Sequence, residues 1–315
     1  MIRQNRRVFL AGLVGAACGS GGVRAQSGRP QPVLAHRRPM FIECAALHVE
    51  NLPGMLLFYQ QVVGLEVMRQ TENGALLGIG GASLIELERE SEARPAPAGS
   101  AGLYHLAFEM PTRKDLARWV VHAATYHFQV TGLADHQVTE SVYLNDPEGN
   151  GIEIYADRSE EQWKWNDGEV AMGVFDLDLE PILDFVDRNK DDYSVAPAGM
   201  RIGHIHLRVG DLGIAEEFYS ELLGFDVTRR APGVVFMSSG RYHHHVAVNI
   251  WDSSEARQRG ERELGLSWFS IAVTDRAISE DRKARLRVAG VSIREIAERW
   301  EVDDPWGNRI RFVIV

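Results

Sequence analysis

Asn51-Leu52, Phe58-Tyr59 and Val63-Gly64-Leu65-Glu66-Val67 recur further along the chain as Asp211-Leu212, Phe218-Tyr219 and Leu223-Gly224-Phe225-Asp226-Val227. The offset is 160 residues in each case, so this chain of 315 residues carries a long internal repeat. Each copy reads as a strand, an Asn or Asp N-cap, an amphipathic helix, a Gly C-cap and a second strand. A second repeat links Asp146-Pro147-Glu148-Gly149-Asn150 to Asp304-Pro305-Trp306-Gly307-Asn308, a tight turn feeding a final strand. The strand starts Gly102-Leu103-Tyr104-His105 and Gly265-Leu266-Ser267-Trp268 correspond as well. The chain is therefore read as four βαβββ modules beginning near residues 41, 101, 202 and 265, an α+β fold. Residues 41–157 and 200–315 are expected to form two tandem domains. The stretch 158–199 between them reads as an ordered linker with a short helix around 180–187.

The remaining properties bound the function. Hydrophobic residues make up 45% and charged residues 25%, an ordinary globular composition with enough apolar surface for two cores. A net charge of −10 argues against a broad nucleic-acid-binding surface. Arg6-Arg7-Val8-Phe9-Leu10 opens a weakly apolar run that ends near Val23-Arg24-Ala25. A charged start, a short apolar stretch and small residues at the end describe an export signal, too short for a permanent membrane span. The arginine pair resembles the twin-arginine type, so residues 1–25 are expected to be removed and the mature protein to be exported or periplasmic. That removal takes four arginines and no acids, moving the charge from −10 to −14. Of the two cysteines, Cys18 lies in this segment, which leaves Cys44 without an internal disulfide partner.

The paired modules, the helix ends around Phe58-Tyr59 and Phe218-Tyr219, and the strand following Asp146 resemble the glyoxalase, bleomycin-resistance and extradiol-dioxygenase superfamily, the vicinal-oxygen-chelate fold. Stretches 102–120, 146–158, 203–212 and 242–251 are most similar to its two-domain catechol 2,3-dioxygenase-like members, and the resemblance runs over roughly residues 41 to 315. It implies cupped mixed β-sheets in which first and last strands of facing modules offer metal ligands. First strands here offer Cys44, His105, His204 and Trp268; last strands of modules two and four offer Glu153 and Arg311. Modules two and three thus supply His105, Glu153 and His204, a two-histidine, one-carboxylate face suited to Fe(II), with Mn, Zn or Ni as alternatives. Module four has lost both ligands, because an indole cannot coordinate a metal and a guanidinium repels one. The active pair would then form across the linker or between chains of a homo-oligomer.

The same resemblance assigns further roles. Tyr143, ten residues before Glu153, resembles the tyrosine that donates a hydrogen bond to a substrate oxygen, and Glu301 stands at its counterpart in module four. His136 matches a loop histidine, and the run His243-His244-His245 resembles the place of an acid–base histidine, with His245 preferred over His244. On that last strand only alternate members can share a face.

An isolated histidine in an apolar strand is more often a core residue than a ligand, so His105 and His204 gain weight only from their equivalence between modules. Glu153 between Ile152 and Ile154 is costly to bury unpaired, although an alternating strand could turn it to water. His48 lies about 13 Å along the strand from Cys44 and is not expected to be a ligand. His206 could orient a ligand or lie exposed. Trp163 and Trp165 could line a substrate mouth or simply pack. The expected function is extradiol ring cleavage of a small catechol- or hydroquinone-like aromatic with O2. A glyoxalase-type metal-dependent lyase or isomerase and a non-catalytic binding protein are the alternatives.

Overall fold

The computed structural model describes residues 32–260 and 262–315. The export-signal reading of 1–25 and Cys18 lie outside the described residues. In chain order, module one contains β1 (Met40–Val49), α1 (Leu52–Phe58), β2 (Glu66–Thr71), β3 (Gly74–Ile79) and β4 (Ala82–Arg89). Module two contains β5 (Gly102–Met110), α2 (Arg113–Thr125), β6 (Val130–Asp135), β7 (Thr139–Asn145) and β8 (Gly151–Asp157). The connection holds β9 (Trp165–Asn166), β10 (Glu169–Val170) and the one-turn helix α3 (Glu180–Leu183), within the range where a short helix is expected. Module three follows as β11 (Arg201–Arg208), α4 (Leu212–Glu216), β12 (Asp226–Ala231), β13 (Val234–Ser238) and β14 (Val246–Asn249). Module four closes the chain with β15 (Gly265–Val273), α5 (Arg276–Val288), β16 (Arg294–Ile296), β17 (Arg299–Asp303) and β18 (Arg309–Ile314).

The caps act as the repeat predicts. Asn51 accepts from Gly54 N at 3.1 Å and Asp211 from Ile214 N at 2.9 Å, satisfying free N–H groups at the two helix starts. Both helices run on as a π-helical turn, Tyr59–Val63 and Glu217–Leu222. Gly64 ends the first in left-handed backbone at φ 86°, where Ala196 N would lie 2.7 Å from a Cβ.

Two eight-stranded sheets result, and each takes one module from each half of the chain. One has the order β16-β17-β18-β15-β1-β4-β3-β2, the other β12-β13-β14-β11-β5-β8-β7-β6. The first strands meet antiparallel at each centre, β1 with β15 and β5 with β11. Each first strand also pairs in parallel with the last strand of its own module, for example β5 with β8. Sequential halves are tied differently, by side chains. Tyr59 from module one donates to Asp146 in the turn of module two at 3.2 Å, and Tyr219 from module three donates to Asp304 of module four at 2.9 Å. Each aspartate also accepts from the side-chain amide of its turn asparagine, Asn150 or Asn308, at 2.8 Å. The two repeated motifs are thus the two ends of one buried contact. One sheet joins modules two and three, the other joins modules one and four, and the Tyr–Asp contacts tie the two sheets together.

Candidate metal centre

Three strands set one row of side chains. The β5–β8 register places Ala107 beside Glu153, and the β5–β11 register places Ala107 beside His204. The small Ala107 therefore sits between two large polar neighbours, and His105, two residues back, projects from the same face of β5. Tyr143 extends the row on β7, directly opposite Glu153.

The result is compact. His105 Nε2 and His204 Nε2 each lie 3.1 Å from Glu153 Oε2, and the ligand atoms of all three residues fall within 4.8 Å of one another. All three side chains are buried, Glu153 at 2% exposure. Burial opposes the charge on Glu153, but His204 and His105 outweigh it and hold the carboxyl well below its usual range. Burial in turn pushes His204 down to about 4, against the pull of Glu153. His105 Nε2 is buried yet makes no well-formed hydrogen bond despite its closeness to the carboxylate. His204 Nε2 hydrogen-bonds the same carboxylate oxygen, and a second imidazole nitrogen that converges on it without a hydrogen bond suits a shared cation. A borderline divalent metal fits a site of two imidazoles and one carboxylate. Three protein donors leave coordination positions for other ligands.

Other expected residues are placed around this core. His136 Nε2 lies 2.7 Å from the Tyr143 hydroxyl, and its Nδ1 lies 2.7 Å from Gly173 O in the connection. His244 packs its ring 4.1 Å from that of His204. The preference for His245 gives way here. Both its ring nitrogens are engaged by backbone, Nδ1 by Ser239 N at 3.2 Å and Nε2 at Ala35 O at 3.1 Å. The alternation rule also fails for this run, because residues 243–245 form irregular backbone ahead of β14. His243 and His244 are consequently neighbours, joined Nδ1 to Nδ1 at 2.8 Å. His206 is buried rather than exposed, with Nε2 2.9 Å from Asn249 Nδ2 and its ring 4.9 Å from that of His105. Trp163 packs with Ala35, Val138, Val170 and Tyr242, a small cluster that joins the connection to module three.

The corresponding row of the other sheet is filled by an ion pair. Arg311 Nε donates to Glu301 Oε1 at 2.8 Å from the directly opposite register position, and its guanidinium stacks 3.7 Å over Trp268. Cys44 lies beside them as a free thiol whose pKa burial pushes far up. A thiol that resists ionisation next to a guanidinium makes a poor metal ligand. His48 meets Glu88 at 3.4 Å, a carboxylate that also accepts from Trp268 Nε1 at 2.9 Å.

Sequence reasoning missed Asp157, Glu109 and Tyr242. Asp157 Oδ1 lies 2.9 Å from His243 Nε2, the Tyr242 hydroxyl reaches both Asp157 and Glu109, and Tyr155 joins Tyr242 at 2.8 Å. The signal was strand alternation: Glu153, Tyr155 and Asp157 share one face of β8, and His105 and Glu109 one face of β5. Gly203 makes the arrangement possible, since a Cβ there would lie 1.7 Å from the Tyr155 hydroxyl.

Comparison with known proteins gives the family and the fold. Residues 42–154 and 201–312 match the Glyoxalase/Bleomycin resistance protein/Dioxygenase superfamily. A Bacillus subtilis (strain 168) protein named Catechol-2,3-dioxygenase is 36% identical over 280 residues, which cover 86% of this chain and 96% of that one. Glyoxalase I from Zea mays superposes with a TM-score of 0.56 at 15% identity, over 89% of this chain and 94% of that one. The cppA protein from Streptococcus pneumoniae TIGR4 gives 0.55 at 12% identity, over 87% and 99%. At such identities the two structures report the fold alone.

Proposed function

We propose that this chain, which belongs to the Glyoxalase/Bleomycin resistance protein/Dioxygenase superfamily, is an extradiol ring-cleaving dioxygenase that takes Fe(II) on His105, Glu153 and His204 and cleaves a catechol- or hydroquinone-like aromatic with O2. The observation that carries the reading is the three-donor face, buried on one sheet and confined to modules two and three. The 36% identity to a protein named Catechol-2,3-dioxygenase, along almost its whole length, supports the reaction class. A bound divalent metal would supply Lewis acidity and a template for both ring oxygens.

The chain's own groups do the rest. Glu153 and the two histidines would supply one negative charge to a divalent metal, so a second anion would be well accommodated beside it. The backbone carbonyl of Gly173 accepts from His136 Nδ1–H, which leaves Nε2 to accept the Tyr143 proton. Tyr143 and His136 together hold a proton beside the row of ligands. A diol losing its proton there can be steadied by the phenol. His244, packed on His204, is the histidine placed to take or return a proton on the opposite side. The low exposure of every ligand excludes bulk water from these exchanges.

The test is metal content of protein purified without oxygen, together with oxygen uptake and the yellow ring-fission product from catechol. Iron near one per chain, lost with activity in Glu153→Ala, is the expected result. Zinc, nickel or manganese with no oxygen uptake would replace this reading with a glyoxalase-type lyase or isomerase. Absence of bound metal would leave a binding protein. We also propose that residues 1–25 direct export, which cell fractionation of the full chain and of an Arg6→Lys, Arg7→Lys variant tests.

A further inference from the structure

We propose that Asp157 is a positioning residue that, acting through His243, imposes one tautomer on His244 and leaves His244 Nε2 as a bare acceptor beside the metal centre. The catalytic value of that acceptor rests on the function proposed above; the tautomer does not.

Carboxylates accept and do not donate, so the 2.9 Å contact of Asp157 Oδ1 with His243 Nε2 requires the proton on that nitrogen. Burial keeps His243 neutral, so its Nδ1 is then a lone pair. That lone pair faces His244 Nδ1 at 2.8 Å. Two lone pairs or two N–H groups cannot meet at this distance, so His244 donates through Nδ1. Its Nε2 must be bare, on a ring packed 4.1 Å from His204. In water the Nε2–H form of histidine predominates, so the chain imposes the minority tautomer.

The device needs Asp157 ionised. Burial pushes its carboxyl up to about 8, with hydrogen bonds from Glu109 and Tyr242 pulling it back. The arrangement is therefore complete on the alkaline side of neutrality, and a second carboxyl group contributes part of that pull. Asp157 Oδ2 is buried without a hydrogen-bond partner unless the neighbouring Glu109 carries a proton. Two buried carboxyl groups in contact cannot both ionise. Burial and the Asp157 charge push Glu109 well up, making it the group that keeps the proton and donates it to Asp157. Glu109 is held in place by Leu34 N at 2.9 Å, Ala35 N at 3.3 Å and the Tyr242 hydroxyl at 3.4 Å. Other charged or titratable neighbours of this group are Glu160 and Arg38, with Tyr155 beyond Tyr242. Glu109 therefore supplies the missing donor, Asp157 the acceptor, and His243 passes the constraint to His244.

Imidazole nitrogen-15 NMR of the metal-free chain tests this at mildly alkaline pH, above the Asp157 carboxyl at about 8, with His243→Gln and His244→Gln to assign the signals. We expect His243 as Nε2–H and His244 as Nδ1–H. Asp157→Asn keeps the shape but can present an amide N–H to His243 Nε2. It is expected to invert both rings, moving the His244 proton to Nε2. Glu109→Gln keeps a donor towards Asp157 and is expected to preserve the wild-type tautomers. Wild-type His244 found as Nε2–H, or an unchanged Asp157→Asn spectrum, overturns the proposal. In the iron-loaded protein, Asp157→Asn is expected to lower kcat about 10²-fold with KM and metal content held. An inverted spectrum with unchanged kcat overturns the catalytic value of the acceptor. A wild-type chain that cleaves no catechol refutes the proposed reaction and leaves the tautomer test standing.

Discussion

Replacing Tyr143 by Phe removes one hydroxyl from the end of the ligand row and separates packing from chemistry. In the folded chain that hydroxyl lies 2.7 Å from His136 Nε2, the hydrogen bond it would lose. A neutral hydrogen bond between half-buried groups contributes about 1 kcal/mol to stability. For modules of this size that shifts the melting midpoint by roughly 2–4 °C. The phenyl ring keeps its place, so His105 and Glu153 are undisturbed and metal content should not change. Turnover has more at stake. If the phenol steadies a substrate oxygen as its proton leaves, losing one such donor costs about 3–4 kcal/mol, or 10²–10³ in kcat. The assay pairs thermal unfolding with oxygen uptake on one sample of metal-replete protein. A His136→Ala variant and the double variant complete a cycle. Because the phenol proton rests on His136, the two substitutions should be strongly non-additive in kcat. Turnover of Tyr143→Phe within about threefold of wild type would refute the placement of this phenol at the reacting oxygens.

Tyr59→Phe and Tyr219→Phe each remove a hydrogen bond to a buried aspartate and should destabilise the chain by about 1.5–3 kcal/mol, measured by urea denaturation. Equal midpoints for wild type and both variants would show that the contacts hold nothing. His245 is buried neutral, with its pKa pushed down to about 3 by desolvation, so the unfolded chain binds its proton first as pH falls below 6.5. Its contribution to stability is present above pH 6.5 and is lost as pH falls towards about 3, at up to about 1.4 kcal/mol per pH unit. His245→Gln should flatten the pH dependence of stability between about pH 4 and 6 by that slope; an unchanged slope would mean the ring is protonated when folded. His105→Ala mixed with His204→Ala and refolded together should recover no ring cleavage, because β5 and β11 pair within one chain. Recovery of activity would mean that strands exchange between chains.

Much of this architecture was legible in the residues themselves. The 160-residue offset exposed the modules, and caps such as Asn51 and Gly64 act through hydrogen bonds only a few residues long. Helices and turns are local, so local chemistry is enough to read them. The cluster of His105, Glu153 and His204, with Tyr143 opposite Glu153, was also identifiable. The family resemblance says which strand positions of each module to read, and Trp268 and Arg311 stand at the matching positions of module four.

Only the tertiary structure decided which first strands pair at the sheet centres. Every strand offers the same backbone donors and acceptors, so periodicity states which face is buried and not which neighbour covers it. The choice between His244 and His245 had the same origin. Alternation applies to strands, and residues 243–245 are irregular backbone in which adjacent rings meet. The link from His243 to Asp157 joins residues 86 apart in the chain, and the Glu109 contact to Leu34 spans 75. Proton positions depend on such distant partners, because the tautomer of a buried imidazole is set by what stands opposite each nitrogen, and that is known only once the sheets have closed.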